Sequence, residues 1–115
     1  MDTKATLDHH IAAFSAGDVD GVLEDYTDES VFLHPEGVVH GREALRGMYA
    51  ELLEGLFKPG TYDFTMNAVH VEGEVAFIAW EARCGSADVP LGTDTFLIRD
   101  GKIRTHTFAA KIDPR

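Results

Sequence analysis

The chain has few of the features that cross-linked, membrane-spanning or exported proteins need. It has 115 residues and one cysteine, Cys84, so no disulfide can form within the chain. No apolar run approaches the length of about 18 residues that a transmembrane helix needs, and no charged-then-apolar signal segment is present. We therefore expect a soluble cytoplasmic protein with a single domain over residues 1–115.

Basic residues are also scarce. Ten Lys and Arg stand against twenty Asp and Glu, which gives a formal net charge of −10. A negative field of this size repels the phosphates of nucleic acids and the headgroups of anionic lipids. We expect no nucleic-acid partner and no membrane partner, and the simplest role of the charge is solubility.

The common sequence motifs of cofactor and nucleophile sites are missing. There is no Gly-rich phosphate loop, no Ser nucleophile elbow and no Cys-His motif, and nothing around Cys84 indicates an activated thiolate. His10, His34, Asp94 and His106 are residue types that bind metals, but they lack the short-range spacing of a metal site. The sequence thus predicts neither a metal nor a cofactor.

The first half of the chain has helical periodicity. Apolar side chains at spacings of three and four predict helices over residues 4–15, 19–26 and 42–57. Gly17 ends the first helix, and Asp18 is suited to cap the second.

Shorter segments with strand character complete the pattern. Strands are predicted over residues 30–34, 62–70, 75–84, 91–99 and 102–112. Residues 85–90 are predicted to form a loop, and Asp100-Gly101 is a two-residue hairpin signal. The order predicts an α+β fold, in which three helices cover one face of a curved sheet with a concave interior.

Asp94 is the most informative residue of the predicted sheet. It shares a strand face with Phe96 and Ile98, because side chains alternate along a strand. Burying a charged carboxylate among apolar groups costs several kcal/mol, so Asp94 must be paired, protonated or at a wet cavity. An ion pair with Arg83 or Arg104 is the structural alternative to a role in chemistry.

Several motifs together resemble one superfamily. They are Ala16-Gly17-Asp18-Val19-Asp20-Gly21 between the first two helices, His34-Pro35 after the first strand, Gly41 before the third helix, and Asp94 with Phe96 before Asp100-Gly101-Lys102. In these motifs and their order the chain resembles the nuclear transport factor 2-like superfamily, and most of all its branch of ketosteroid isomerases and SnoaL-like polyketide cyclases. The resemblance implies a cone of curved, mixed sheet around an apolar pocket, covered by three N-terminal helices.

The resemblance also implies site residues. Asp94 matches the Asp of the oxyanion hole, His10 stands at the position of its Tyr, and His34 stands at the position of the general-base Asp. Tyr26 and Tyr49 match aromatics that support the hole in some relatives. We therefore predict His34, Asp94 and His10 as catalytic, with His34 as the base and Asp94, with His10 or Tyr49, as the hydrogen-bond donor.

Two of these assignments have structural alternatives. His34 at a strand end could simply donate a hydrogen bond to a carbonyl group, and His10 could be a half-buried, satisfied histidine. His106 alternates with Arg104 and Phe108, and the resemblance turns that face toward the cavity, although it could instead face solvent or a second subunit. The side chains predicted to bind substrate are Phe14, Tyr26, Met48, Tyr49, Phe96, His106 and Phe108.

These residues predict a cofactor-independent enzyme that transfers protons on a small, mostly apolar carbonyl or hydroxyl compound. Isomerisation, cyclisation and dehydration all need a base at the carbon acid and a donor at the developing enolate oxygen. One alternative is a non-catalytic module that binds a small apolar organic ligand, and another is a protein-interaction domain.

The strand over residues 75–84 suggests an assembly. Ile78, Trp80 and Ala82 share one face, which we predict to be the outer face of the sheet. Exposed apolar sheet faces mark interfaces, so we predict a homodimer through this face.

Overall fold

Helices and strands are interleaved in the computed structural model, which describes residues 2–115. The helices are α1 (Thr3–Ser15), α2 (Val19–Leu23) and α3 (Gly41–Glu54). The strands are β1 (Tyr26–His34), β2 (Gly37–His40), β3 (Asp63–Glu72), β4 (Val75–Arg83), β5 (Ala87–Arg99) and β6 (Lys102–Pro114). No helix in this part of the chain is long and apolar enough to cross a membrane.

The strands form one curved, mixed sheet that does not close, in the order β2-β1-β6-β5-β4-β3. The β1–β6 pair is parallel and the other pairs are antiparallel. Together with the three helices, this sheet confirms the predicted α+β fold class and the cone shape that the resemblance implied.

The core lies between the helices and the inner face of the sheet. Both layers contribute side chains that are at most 5% exposed, among them Leu7, Leu45 and Leu53 from the helices and Phe96, Ile98 and Ile103 from the strands. Burying each such side chain stabilises the fold by about 1.5–3 kcal/mol relative to leaving it exposed. The apolar spacings that predicted α1 and α3 are therefore the spacings that build the core.

The predicted helix end, helix cap and hairpin turn are confirmed. Gly17 follows α1 with a φ of 70°, and the Asp18 side chain accepts a hydrogen bond from the backbone N–H of Gly21 at the start of α2. Asp100 and Gly101 both have positive φ, 53° and 73°, and join β5 to β6 in a tight turn. Two consecutive residues with positive φ match the twist of an antiparallel hairpin, which is why an Asp-Gly pair predicts one.

Some predicted boundaries were wrong. The second helix ends at Leu23 rather than at residue 26, and Tyr26 begins β1 because it pairs with Ile103 of the last strand. The segment 85–90 was predicted as a loop, but β5 starts at Ala87. The short strand β2 was not predicted, and α3 ends at Glu54 rather than at residue 57. Strand pairing overrides the local pattern at β1, β2 and β5, whereas α3 ends because the backbone at Gly55 is no longer helical.

The face predicted as a dimer interface lies inside the protein, so that assignment was wrong. Ile78, Trp80 and Ala82 are 5%, 6% and 2% exposed. The β4–β5 register places Ile78 directly opposite Asp94, which puts both on the inner face. Because β4 is apolar on both faces, alternation alone could not say which face is inner. The homodimer itself stays a prediction.

A buried carboxylate connects α1 to the junction between α2 and β1. Asp25 is 1% exposed, and both of its carboxylate oxygens lie within 2.9 Å of the Nδ1 atom of His9. Burial raises the pKa of Asp25, and the hydrogen bond that His9 donates to Asp25 raises the pKa of His9. The pair is therefore strongest when His9 is protonated.

We expect Asp25→Asn to destabilise the fold by about 1 kcal/mol in mildly acidic solution, because it removes a charge-assisted hydrogen bond. While Asp25 is ionised, the contribution of the pair is fully present below the unfolded pKa of histidine, about 6.5. It is lost as the pH rises through the raised pKa of His9, and also as the pH falls through the raised pKa of Asp25. Urea unfolding of wild type and variant on both sides of that range measures the difference. Asp8→Asn is the control, because Asp8 is an exposed aspartate on α1, the helix that carries His9. It should change stability by less than about 0.5 kcal/mol. An equal loss from Asp25→Asn at every pH would contradict this account.

Candidate active site

An apolar cavity of about 120 Å³ lies between the helices and the inner face of the sheet. Aromatic rings form much of its wall, including Phe14, Phe32, Phe57, Phe64 and Phe108. Polar side chains also line it, among them His10, Tyr49, Trp80, Asp94 and His106. The cavity therefore combines a mostly apolar wall with a small set of polar groups, which is how small-molecule sites are built.

Asp94, on β5, is 8% exposed and is held by two ring nitrogens. Its Oδ2 atom accepts a hydrogen bond of 2.7 Å from the indole Nε1 of Trp80 on β4. Its Oδ1 atom lies 2.7 Å from Nε2 of His106 on β6. An indole N–H can only donate, and one donor on each oxygen stabilises the ionised carboxylate. The partner of Asp94 is thus a histidine, and neither of the two predicted arginines.

The hydrogen bonds of His106 continue into two tyrosines. If Nε2 of His106 donates to Asp94, a neutral ring leaves Nδ1 to accept, and the Tyr26 hydroxyl lies 2.8 Å from it. The Tyr26 and Tyr49 hydroxyls are 2.6 Å apart. Burial raises the pKa of both tyrosines, so both keep their protons. We therefore assign a chain of donation from Tyr49 to Tyr26, to His106 and to Asp94.

The direction of donation along this chain determines whether the Tyr49 hydroxyl can donate or accept a hydrogen bond in the cavity. Its proton is committed to Tyr26, so toward the cavity Tyr49 presents an acceptor lone pair. Tyr26 itself is 1% exposed and does not line the cavity, so its role is to support Tyr49 and His106.

His10 has unused hydrogen-bonding capacity. It lies on α1 and is 6% exposed, and its ring centroid is 5.4 Å from that of Phe96 and 5.9 Å from that of His106. Burial, with a smaller effect from the neighbouring histidines, lowers its pKa to about 3, so the ring is neutral at neutral pH. Among residues 2–115, Nδ1 of His10 is buried and has no hydrogen-bond partner. A neutral imidazole at the cavity wall can donate one hydrogen bond and accept another.

Gly92 makes the contact between Trp80 and Asp94 possible. It lies directly opposite Trp80 in the β4–β5 pair, and a Cβ atom built on Gly92 would clash with three carbons of the indole ring. The indole therefore lies across the backbone of β5 to reach the carboxylate two residues further along. A glycine inside a strand often marks such a close approach.

The structure brings most of the predicted residues together. His10, Asp94 and His106 meet at the cavity, and Phe14, Tyr49, Phe96 and Phe108 line it as well. Met48 packs against the core instead of lining the cavity.

His34, the predicted base, lies outside the cavity lining. His34 lies on the same face of β1 as Phe32, because the two are two residues apart, and Phe32 pairs with His106, which lines the cavity. However, it sits at the end of β1, half-buried, where its Nδ1 atom accepts a hydrogen bond of 3.3 Å from the backbone N–H of Glu36. A catalytic role for His34 stays a prediction.

The predicted alternation of Arg104 with His106 was wrong. The β5–β6 register shifts there, since Ile98 pairs with Ile103 whereas Leu97 pairs with Thr105. Arg104 is the extra residue of this bulge, and a bulge turns the side chains that follow to the opposite phase. The resemblance nevertheless placed His106 on the correct face.

Three of the potential metal ligands meet at the cavity, but they are not arranged as a metal site. Within the described residues 2–115, no three His, Cys, Asp or Glu side chains are arranged to hold a metal ion. Both ring nitrogens of His106 and both oxygens of Asp94 are engaged in the hydrogen-bond chain. The arrangement is one that can take up and deliver protons.

Sequence reasoning missed Trp80 and Gly92 as site residues. Trp80 was assigned to the outer face, because only the register between β4 and β5 reveals that it faces Asp94. The available signal was Gly92 itself, a strand glycine two residues before Asp94 and therefore on the same face.

Gly92→Ala should displace the indole and break its hydrogen bond to Asp94. Trp80 is the only tryptophan of the chain, so its fluorescence reports this contact directly. We expect the emission to shift toward that of a solvent-exposed indole. The free energy of unfolding in urea should fall by about 1–3 kcal/mol, as it does when other cores are overpacked. Gly85→Ala is the matched control, because a Cβ there meets no atom within 4 Å. Wild-type emission and stability in Gly92→Ala would refute the account of this contact.

Comparisons with known proteins agree with this architecture. A family model of the SnoaL-like domain matches residues 7–106. A proposed ketosteroid isomerase from Kribbella flavida is similar in structure, with a TM-score of 0.78 and 14% identity over 95% of this chain and 77% of that chain. A proposed polyketide cyclase from Sinorhizobium meliloti has a TM-score of 0.75 and 19% identity over 90% of this chain and 93% of that one. An LEH-like epoxide hydrolase from M. tuberculosis has a TM-score of 0.71 and 13% identity over 93% and 80%.

At these identities the solved structures show a shared fold. No curated protein sequence matches the chain significantly. The family model, in contrast, covers most of the chain and includes the positions of His10, Tyr49, Asp94 and His106. The chain therefore belongs to the SnoaL-like domain family of the nuclear transport factor 2-like superfamily.

Proposed function

We propose that the protein is an enzyme of the ketosteroid-isomerase or polyketide-cyclase type, which transfers a proton on a small, mostly apolar carbonyl compound. Asp94 is the general base and His10 is the hydrogen-bond donor to the developing oxyanion. One observation carries the proposal: a carboxylate held by Trp80 and His106 lies in the wall of an apolar cavity that also contains an unpartnered histidine.

The hydrogen bonds of Asp94 suit it to act as a base. Each carboxylate oxygen accepts one N–H and keeps lone-pair capacity for a proton from the substrate. Trp80 and His106 fix the orientation of the carboxylate, and pre-positioned groups cost no reorganisation when the reaction occurs. The lining is mostly apolar, and electrostatic effects on reacting atoms are stronger in surroundings of low polarity.

His10 supplies the second requirement. Removing a proton next to a carbonyl group places negative charge on the carbonyl oxygen, which then needs a donor. Tyr49 has committed its proton to Tyr26, whereas no hydrogen bond from a protein group uses Nδ1 of His10 in the described chain. A neutral imidazole can stabilise such an oxyanion, since lowering its pKa keeps it uncharged without removing its N–H.

This proposal exchanges the roles that the resemblance suggested. There, Asp94 was the donor and His34 the base. Two N–H donors on Asp94 favour a carboxylate acceptor over a protonated donor, and His34 lies away from the cavity lining. The base and the donor therefore move to Asp94 and His10.

The test is turnover of β,γ-unsaturated ketones, β-hydroxy ketones and a generic carbon acid. We expect Asp94→Asn and Asp94→Ala to lower kcat equally, by about 100-fold or more, because neither can accept the proton. His10→Leu should cost about 100-fold, as removal of an oxyanion donor does. His34→Ala is the matched histidine control and should stay within a factor of about two of wild type, since His34 does not line the cavity.

Three results would contradict the proposal. A large loss in His34→Ala with an active Asp94→Asn would return the base to His34. A much smaller loss in Asp94→Asn than in Asp94→Ala would make Asp94 a donor. If wild type binds these ketones but gives no rate above buffer, the non-catalytic binding module is favoured. The hydrogen bonds among Asp94, His106 and the two tyrosines would then only position a ligand.

A further inference from the structure

The cavity volume limits what the proposed site can hold. At about 120 Å³ it is somewhat smaller than a dry apolar protein cavity of about 150 Å³ that takes up one benzene molecule. One six-membered ring with a small substituent matches this space. Two or more fused rings exceed it.

The cavity wall is built from rings that pack against each other. The ring centroid of Phe57 lies 5.6 Å from that of Phe14, 5.3 Å from that of Tyr62 and 5.8 Å from that of Trp80. Trp80 in turn stacks on Phe64 at 5.3 Å. Close-packed interiors have few voids and resist compression, so these contacts hold this part of the cavity wall in place.

The polar groups of the cavity are clustered. Asp94 contacts His106 directly, and the ring centroid of His10 lies 5.9 Å from that of His106 and 6.1 Å from that of Tyr49. Most of the other lining side chains are apolar, and five of them are phenylalanines besides Phe96. A ligand can thus satisfy one oxygen function at the polar cluster while the rest of it contacts apolar wall.

We propose that the substrate class of this site is monocyclic enolisable ketones, with one six-membered carbocycle and one oxygen function, to the exclusion of fused-ring ketones. This inference rests on the proposed function and adds the substrate class to it. Asp94 takes the proton from the carbon next to the carbonyl group, and the C–H electron pair forms the new C=C bond. The carbonyl π pair moves to the oxygen, which His10 stabilises, and the proton on Asp94 returns to the product.

When the proton on Asp94 is delivered to the oxygen, the product is the enol, and Asp94 is again a carboxylate. The enol O–H can then donate to Asp94 while the enol oxygen accepts from His10. Phenol has the same ring size and the same O–H, and it is stable, so it is a binding probe for this arrangement that needs no turnover.

Calorimetric titration with phenol, toluene and 2-naphthol tests the inference. Wild type should bind phenol at least 10-fold more tightly than toluene, because only phenol satisfies the polar cluster. It should bind 2-naphthol at least 10-fold more weakly than phenol, although 2-naphthol has more apolar surface. Asp94→Ala should lose the preference for phenol over toluene.

A second variant, which enlarges the cavity, tests the size limit without relying on Asp94→Ala. Phe14 is half-buried in the cavity wall, so Phe14→Ala should fold and should bind 2-naphthol at least 10-fold more tightly than wild type does. Phe77→Ala is the matched control, because Phe77 lies on the other face of β4 from Ile78 and should leave all three affinities unchanged.

The outcomes separate this inference from the proposed function. Wild type that binds 2-naphthol as tightly as phenol, or turns over fused-ring ketones faster than cyclohexenones, overturns the substrate class and leaves the proton-transfer function standing. The predicted order of binding without turnover of any ketone supports the ligand class and removes the enzyme function.

Discussion

The carboxylate of Asp94, held between the Trp80 indole and the His106 imidazole, is the interaction on which the candidate site depends. An uncompensated charge at this depth would cost several kcal/mol, and the two N–H donors compensate the Asp94 carboxylate inside an apolar wall. The three side chains belong to β4, β5 and β6, which must be in register for the bonds to form. Gly92 leaves the space that the indole needs.

One proton position then determines the polarity of the whole site. With the His106 proton on Nε2, Tyr26 donates to His106 and Tyr49 donates to Tyr26. This leaves an acceptor at Asp94, an acceptor at Tyr49 and, on α1, a neutral His10 that can donate. One scaffold of this kind can host different reactions, and the exchange of donor and acceptor roles that we propose would change the chemistry through a few side chains.

The fold could be predicted from the sequence because its signals are local. The helical spacing around Leu7 and Leu45 and the Asp100-Gly101 turn each depend on a few neighbouring residues, and alternation correctly grouped Asp94 with Phe96. Strand register is not local. Which face of β4 carries Trp80 follows from a pairing between strands, and the bulge at Arg104 changes the alternation on β6 without a recognisable signal. His34 shows the same limit, since its face was predictable but its distance from the cavity was not.

The protonation of His106 tests this account most directly. Long-range ¹H–¹⁵N correlation NMR near neutral pH, with the His106 signals identified by their loss in His106→Gln, reports which ring nitrogen carries a proton. The assigned chain of hydrogen bonds requires a proton on Nε2, facing Asp94, and an unprotonated Nδ1 that accepts a hydrogen bond from Tyr26. A proton on Nδ1, alone or together with Nε2, would contradict it, because Tyr26 would then accept and Tyr49 would turn its own proton toward the cavity.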